Sequence, residues 1–144
     1  MNIRPWKYED ILRISEIEKE CFPREPWSFG MLASSFGNEN FSGVVAEDGG
    51  EIIGYGGFTA AQDTADIDNI AVAEDFRGSG VATAVLSELF KKAKQRGVEK
   101  LFLEVRVSNY AAMSLYLKCG FKGVYARSRY YPDGEDCLVM VKEL

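Results

Sequence analysis

Histidine is absent from all 144 residues, and that gap excludes Ser/His/Asp and Cys/His nucleophile pairs together with the most frequent metal ligand. Any proton transfer must run through carboxylates, tyrosines, cysteines or water. Cysteine is scarce. Cys21, Cys119 and Cys137 are odd in number, far apart and without a C-x-x-C pair, so reduced, mostly buried thiols are expected, with neither a disulfide framework nor a metal site. No apolar run approaches the roughly 18 residues of a membrane span, and Met1 to Trp6 leads into a charged, helix-like segment rather than a signal-peptide core. The expectation is a soluble, cytoplasmic protein with no membrane partner. Basic runs are missing too, and the net charge is −5. Nucleic acid is therefore not an expected partner, whereas an acidic surface draws in a basic one.

What is present suits one compact domain, residues 1–144, because 47% hydrophobic content supplies a core without staples. A short strand at Met1 to Arg4 precedes Pro5. From Asp10 onward Ile11, Leu12, Ile14, Ile17 and Cys21 fall at helical spacing, and the helix must stop before Pro23. Ser28 is placed to cap a second helix through about Phe36. Phe41 to Glu47 and Glu51 to Thr59 are strand-like runs parted by Asp48, Gly49 and Gly50, a hairpin signal. Ala65 to Val72 continues that meander.

Val81 to Arg96 carries Val81, Val85, Leu89, Phe90 and Ala93 on one face and ends at Gly97, the pattern of a long amphipathic helix. Lys100 to Val105 alternates with the period of a strand. Asn109 to Lys118 predicts a helix closed by Gly120, and Phe121 to Arg127 and Cys137 to Val141 predict strands joined through Tyr131, Pro132, Asp133 and Gly134. The order β, α, α, β, β, β, α, β, α, β, β describes an α/β domain with a mixed sheet.

Chemistry first shows in the turn Glu74-Asp75-Phe76-Arg77-Gly78-Ser79-Gly80-Val81-Ala82. Two glycines at the mouth of a helix leave backbone N–H groups unobstructed, and the helix dipole adds roughly half a positive charge there. The turn suits a phosphate or pyrophosphate, or is an ordinary strand-to-helix turn. It is not a Walker P-loop, whose lysine and spacing are missing, nor a dinucleotide G-x-G-x-x-G, because Thr83 holds the third glycine position.

Read with its neighbours, R-x-x-G-x-A from Arg77 to Ala82, following Asn69-Ile70-Ala71-Val72, resembles motif A of the GNAT acetyltransferase superfamily. Leu103-Glu104-Val105-Arg106, Ser108-Asn109, Leu115-Tyr116 and Gly120-Phe121 are similar to the family's remaining landmarks in order and spacing, so the resemblance covers nearly the whole chain. The tail Arg129-Tyr130-Tyr131-Pro132-Asp133-Gly134-Glu135-Asp136, with Phe22-Pro23 and Pro26-Trp27-Ser28, narrows it to the RimI-like N-terminal protein acetyltransferases.

That resemblance implies a GNAT fold, a mixed and mostly antiparallel central sheet splayed in the middle and flanked by about four helices, with acetyl-CoA as co-substrate in the opening and no metal. It implies that backbone groups of Ile70, Ala71 and Val72 hold the pantetheine as an added strand segment. The pyrophosphate would lie on amides of Gly78, Ser79, Gly80, Val81, Ala82 and Thr83, Arg77 would join the cofactor-binding set, and Asn109 would bind the pantetheine arm. Ala82 departs from a second motif glycine, a position where the family accepts alanine. The acceptor is implied to be a protein or peptide N-terminus, a ribosomal protein such as S18 with its terminal alanine among them. Trp27, Tyr130 and Tyr131 would line its entrance. Asp68 stands near the acceptor path where relatives more often carry an apolar residue.

Direct attack of an amine on a thioester needs a neutral amine, a polarised carbonyl and a stabilised leaving thiolate. On residues alone, Glu104 reads as a solvated strand carboxylate, an ion-pair partner of Arg106, or a base on the face shared with Phe102 and Arg106. The resemblance implies the general base, acting through water. Tyr116 lies seven residues after Asn109, on nearly the same helix face about 10 Å further along. Alone it reads as core beside Ala112, Leu115 and Cys119; the resemblance implies the donor to the departing sulfur. An α-amine titrates roughly 2.6 units below a lysine amine, about 3.5 kcal/mol of deprotonation, which favours N-terminal acetylation. A GNAT enzyme acting on a small amine or on protein lysine, a non-catalytic acyl-CoA-binding module and a nucleotide-binding regulatory domain are the alternatives. The joint presence of Glu104 and Tyr116 argues for catalysis.

Overall fold

The computed structural model describes Met1–Leu144. Four antiparallel strands open the sheet: β1 Asn2–Pro5, β2 Phe41–Asp48, β3 Glu51–Ala61 and β4 Thr64–Val72. Gly49 and Gly50 both take positive φ, +60° and +82°, as the tight turn between β2 and β3 requires. Between β1 and β2 run a 3-10 turn at Tyr8–Asp10 and two helices, α1 Ile11–Cys21 and α2 Phe29–Phe36. Ser28 caps α2 as its sequence position predicts, its Oγ accepting from the Met31 N–H at 3.1 Å.

The long helix α3, Val81–Gln95, lies on one face of the sheet and buries Val81, Val85, Leu86, Leu89 and Ala93 against Val44, Ala46, Ile53 and Phe58. Close approach is possible because β3 is glycine-rich: a Cβ on Gly56 would stand 2.8 Å from Val85 and 3.1 Å from Leu89. On the opposite face α1 packs Ile11, Ile14 and Ile17 against Trp6, Val45, Tyr55 and Ala71. Leu12, grouped with that stripe by spacing, is 63% exposed, since one residue further round a helix is a rotation of about 100°. No helix is long and apolar enough to cross a membrane.

The second half contributes β5 Lys100–Arg106, α4 Tyr110–Lys118, β6 Lys122–Arg127 and β7 Cys137–Glu143. Asn109 is the N-cap of α4, its Oδ1 accepting from Ala112 N–H at 3.2 Å, rather than its first residue. The sheet order is β1-β2-β3-β4-β5-β7-β6. All neighbours are antiparallel except β4 and β5, which pair in parallel only from Thr64–Asp66 to Lys100–Phe102. Beyond that short register the two strands part. A bulge in β4 marks the place: Gly57 faces Asn69 and Phe58 faces Ile67, so Asp68 is the extra residue. Seven strands and four helices in this order agree with the fold class expected from the sequence.

Candidate active site

The parting of β4 from β5 leaves main-chain groups without a strand partner. Ala73 N–H bonds to Ile53 C=O at 2.8 Å, which sets the alternation of the β3–β4 ladder: Ala71 turns its N–H and C=O towards β3, and Ile70 and Val72 turn theirs towards the opening. Of the three residues expected to hold a pantetheine, Ile70 and Val72 are those whose main-chain groups face the opening. Arg77 folds back over this edge, donating from Nε to the Val72 carbonyl at 3.1 Å with Nη2 3.1 Å from Cys21 Sγ.

At the end of β4 the chain turns into α3 through Arg77, Gly78, Ser79 and Gly80. Gly78 and Gly80 have φ of +77° and +86°, and nothing lies within 4 Å of where a Cβ would stand on either. The Ser79 hydroxyl pins the turn to the Phe76 carbonyl at 2.5 Å. The Ala84 N–H is the first to reach back to Gly80 C=O, at 3.1 Å. Gly80 supplies no side-chain cap, so the N–H groups of Val81, Ala82 and Thr83 are free to meet an anion at the positive end of the helix dipole.

Between β4 and β5 opens a cleft of about 1440 Å³. It brings together Ile70, Asn109, Glu104, Tyr116, Asp68, Trp27, Tyr130 and Tyr131 from four separated stretches of chain. Ala71, Val72 and the Arg77–Thr83 turn lie outside its wall. Glu104 is held at both oxygens: Tyr130 Oη donates to Oε1 at 3.0 Å, and Arg127 Nε pairs with Oε2 at 3.1 Å. Arg106 is not its partner. That guanidinium instead meets Glu25 at 2.6 Å, Asp133 and Glu135 at 3.0 Å each, and stacks 4.0 Å over the Tyr131 ring. With Arg24 on Asp133 at 2.6 Å, these pairs tie the α1–α2 loop to the β6–β7 loop across the mouth of the cleft.

A family model described as the Acetyltransferase (GNAT) family matches residues 11–121. The chain is 37% identical over 123 residues to a ribosomal protein bS18-alanine N-acetyltransferase of Haemophilus influenzae, covering 85% of this chain and 82% of the relative. It is 33% identical over 155 aligned positions to an N-alpha-acetyltransferase of Sulfurisphaera tokodaii, covering 99% and 92%. The crystal structure of the ribosomal-protein-S18-alanine N-acetyltransferase from Escherichia coli superposes with a TM-score of 0.90 at 32% identity, covering 99% of this chain and 92% of that one. The chain belongs to the GNAT acetyltransferase family. A GNAT protein of this kind is an enzyme that uses acetyl-CoA, and the RimI-like resemblance read from the tail and the Trp27 segment agrees with these relatives.

In this GNAT chain the electrostatics of the cleft follow from burial. Tyr116 is 8% exposed, and desolvation pushes its phenol up to about 12. Its hydroxyl has no protein partner, yet no buried polar side-chain atom goes unpaired, so that oxygen opens on the cleft. Desolvation raises Asp68 to about 6, against a hydrogen bond from Thr59 Oγ1 at 2.5 Å. Asp66 is raised by desolvation and by nearby Glu104. Burial also raises Tyr131 well above the usual phenol range.

Three cleft residues escape a reading of the sequence alone. Glu18 has a signal that was there to find: it stands seven residues after Ile11 and four after Ile14, on the apolar stripe of α1, and is 0% exposed. Asn69 sits within a family motif whose glycines and apolar residues draw the eye. Arg127 becomes visible only once β6 pairs with β7, which brings its neighbours alongside β5.

Proposed function

We propose that this GNAT enzyme transfers acetyl from acetyl-CoA to the N-terminal α-amine of a protein, a ribosomal protein with a terminal alanine being the acceptor class, in the cytoplasm. The observation that carries the reading is that Glu104 and Tyr116 open on one cleft at the place where β4 and β5 part. Relatives named for alanine and N-alpha acetylation support the α-amine over lysine or a small amine. The single sheet from β1 to β6 supports taking residues 1–144 as one domain.

Bound acetyl-CoA supplies a thioester carbonyl as acyl donor. The residues fit such a group: Ile70 offers strand-like main-chain groups and Val72 its N–H, the Val72 carbonyl being held by Arg77, and the unclaimed amides of Val81, Ala82 and Thr83 meet a diphosphate. Gly78 and Gly80 keep the approach free of side chains. Asn109, with Oδ1 occupied as a cap, has its Nδ2 to donate to the pantetheine arm. Trp27, Tyr130 and Tyr131 form the aromatic entrance, and Asp68, an anion above about pH 6, favours an arriving ammonium.

Glu104 accepts, through a water, the proton whose loss turns the arriving ammonium into a neutral amine. The amine then attacks the thioester carbonyl, and the second proton it sheds as the N–C bond forms and the C–S bond breaks passes by way of water to the departing thiolate or to solvent. Tyr116 donates a hydrogen bond to the departing sulfur. A phenol at about 12 lies roughly 3.5 units above a thiol at about 8.5, so complete transfer would be uphill by about 4.8 kcal/mol. Hydrogen bonding to the thiolate, rather than surrender of the proton, is therefore what Tyr116 contributes while the bond breaks. Incubation with acetyl-CoA and peptides beginning Ala, Ser or Met-Glu, beside a blocked peptide with an internal lysine, tests the reading by thiol release. Alanine and serine peptides are expected to react; reaction of the blocked lysine peptide alone would overturn it.

A further inference from the structure

Glu18 is a carboxylate with no solvent exposure on the wall of the acceptor cleft, and only donors surround it. The Tyr55 hydroxyl and the Asn69 Nδ2 amide donate to its Oε1, and the Trp27 backbone N–H donates to Oε2 at 3.1 Å. Burial pushes the Tyr55 phenol far up, so it keeps its proton. The Trp27 backbone N–H can only donate, and the Asn69 amide turns its Nδ2 to the same carboxyl. Burial raises Glu18, and the bonds from Tyr55 and Trp27 oppose the rise; as the groups are arranged all three donate to its oxygens, the pattern that a carboxylate accepts. The anion thereby has a geometric consequence. Asn69 must turn its NH2 inward, and its Oδ1 outward.

Asn69 is only half-buried and lines the cleft. Its Oδ1 has no protein partner, and no buried side-chain polar atom is unpaired, so Oδ1 opens on the cleft. The bulge at Asp68 brings consecutive residues Asp68 and Asn69 both to that wall. An arriving amine terminus presents N–H donors, and an amide turned the other way would oppose them with N–H groups of its own. The same carboxylate accepts from the Trp27 backbone N–H, a bond that the carboxamide oxygen of Glu18→Gln can keep.

We propose that Glu18 is a positioning residue that fixes the Asn69 amide with its oxygen towards the acceptor, where Asn69 Oδ1 accepts a hydrogen bond from an N–H of the incoming terminus. This rests on the acetyl-transfer reading above. Steady-state kinetics with an alanine-terminated peptide test it. Glu18→Gln, which lets the amide invert, and Asn69→Ala should each raise the peptide KM about tenfold, the value of one hydrogen bond to a polar or charged partner. The KM for acetyl-CoA and the affinity for coenzyme A should stay within about twofold. Because Glu18 acts through Asn69, the double variant should be no worse than Asn69→Ala alone.

Additive effects, or an unchanged peptide KM in either single variant, would overturn the proposal. Asn69→Ala, at a half-buried position, keeps the test readable should Glu18→Gln fail to fold: a raised peptide KM supports the oxygen's role and an unchanged one removes it. Failure of the unaltered protein to bind coenzyme A or acetylate the peptide would instead sink the transfer reading, and shows separately.

Discussion

Glu104 is anchored by Tyr130 and Arg127, while the Tyr116 hydroxyl is left without a protein partner. Those contrasting environments suit a base that must be aimed and a donor that must be free to meet sulfur. Glu104→Gln should lower kcat by about 100-fold or more, the usual loss of general base catalysis. Tyr116→Phe should lower kcat by about tenfold with little change in the KM for acetyl-CoA, one charge-assisted hydrogen bond being lost. Wild-type rates in both variants would remove the assignment. Asp68 makes a second residue-scale prediction. Its carboxyl moves from 3.8 to about 6 on folding, so the folded state holds the proton more tightly, and Asp68 loses stability for the fold as pH rises through that window. Asp68→Asn lacks that proton. Its Tm relative to wild type should therefore climb between about pH 4 and pH 7; a constant difference would contradict the burial argument.

At the scale of elements, the helices are legible because their signals are local: a cap at Ser28, a glycine after Gln95-Arg96, a stripe of period 3.6. Two details within them differ: Leu12 faces solvent, because apolar residues were counted rather than angles, and Asn109 caps α4 instead of opening it. The strands are legible as runs, but the bulge at Asp68 and the short β4–β5 register depend on partners far along the chain. For that reason the sequence pointed to Ile70, Ala71 and Val72 as a block, and only the ladder shows that Ala71 faces β3. Glu104 and Tyr116 were named by motif; their shared cleft is a product of pairing. The Gly80 turn gives a prediction with an internal control. Gly80 and Gly97 have φ of +86° and +80° with open space around each, so alanine imposes about 1–2 kcal/mol of left-handed strain at either. Calorimetric titration with coenzyme A should show affinity reduced by about tenfold or more in Gly80→Ala and unchanged in Gly97→Ala, while both lower Tm alike. Equal affinities would detach the turn from the ligand.

Across the whole molecule, the sheet separates two cores, one under α3 and one under α1, and the site lies where the sheet itself opens. The two loops that are tied together, directly through Arg24 with Asp133 and by way of Arg106 between Glu25 and Asp133, come from opposite halves of the chain. An acidic chain of net charge −5, with Asp66, Asp68 and Glu104 in one cleft, presents a field that gathers cationic termini. We propose that this architecture delivers acetyl to an α-amine. Its most direct test is tandem mass spectrometry of a peptide carrying both a free alanine terminus and an internal lysine, after incubation with acetyl-CoA and the protein. The acetyl group is expected on the alanine nitrogen; an acetyl group found only on the lysine, or none on the peptide at all, would refute transfer to the α-amine.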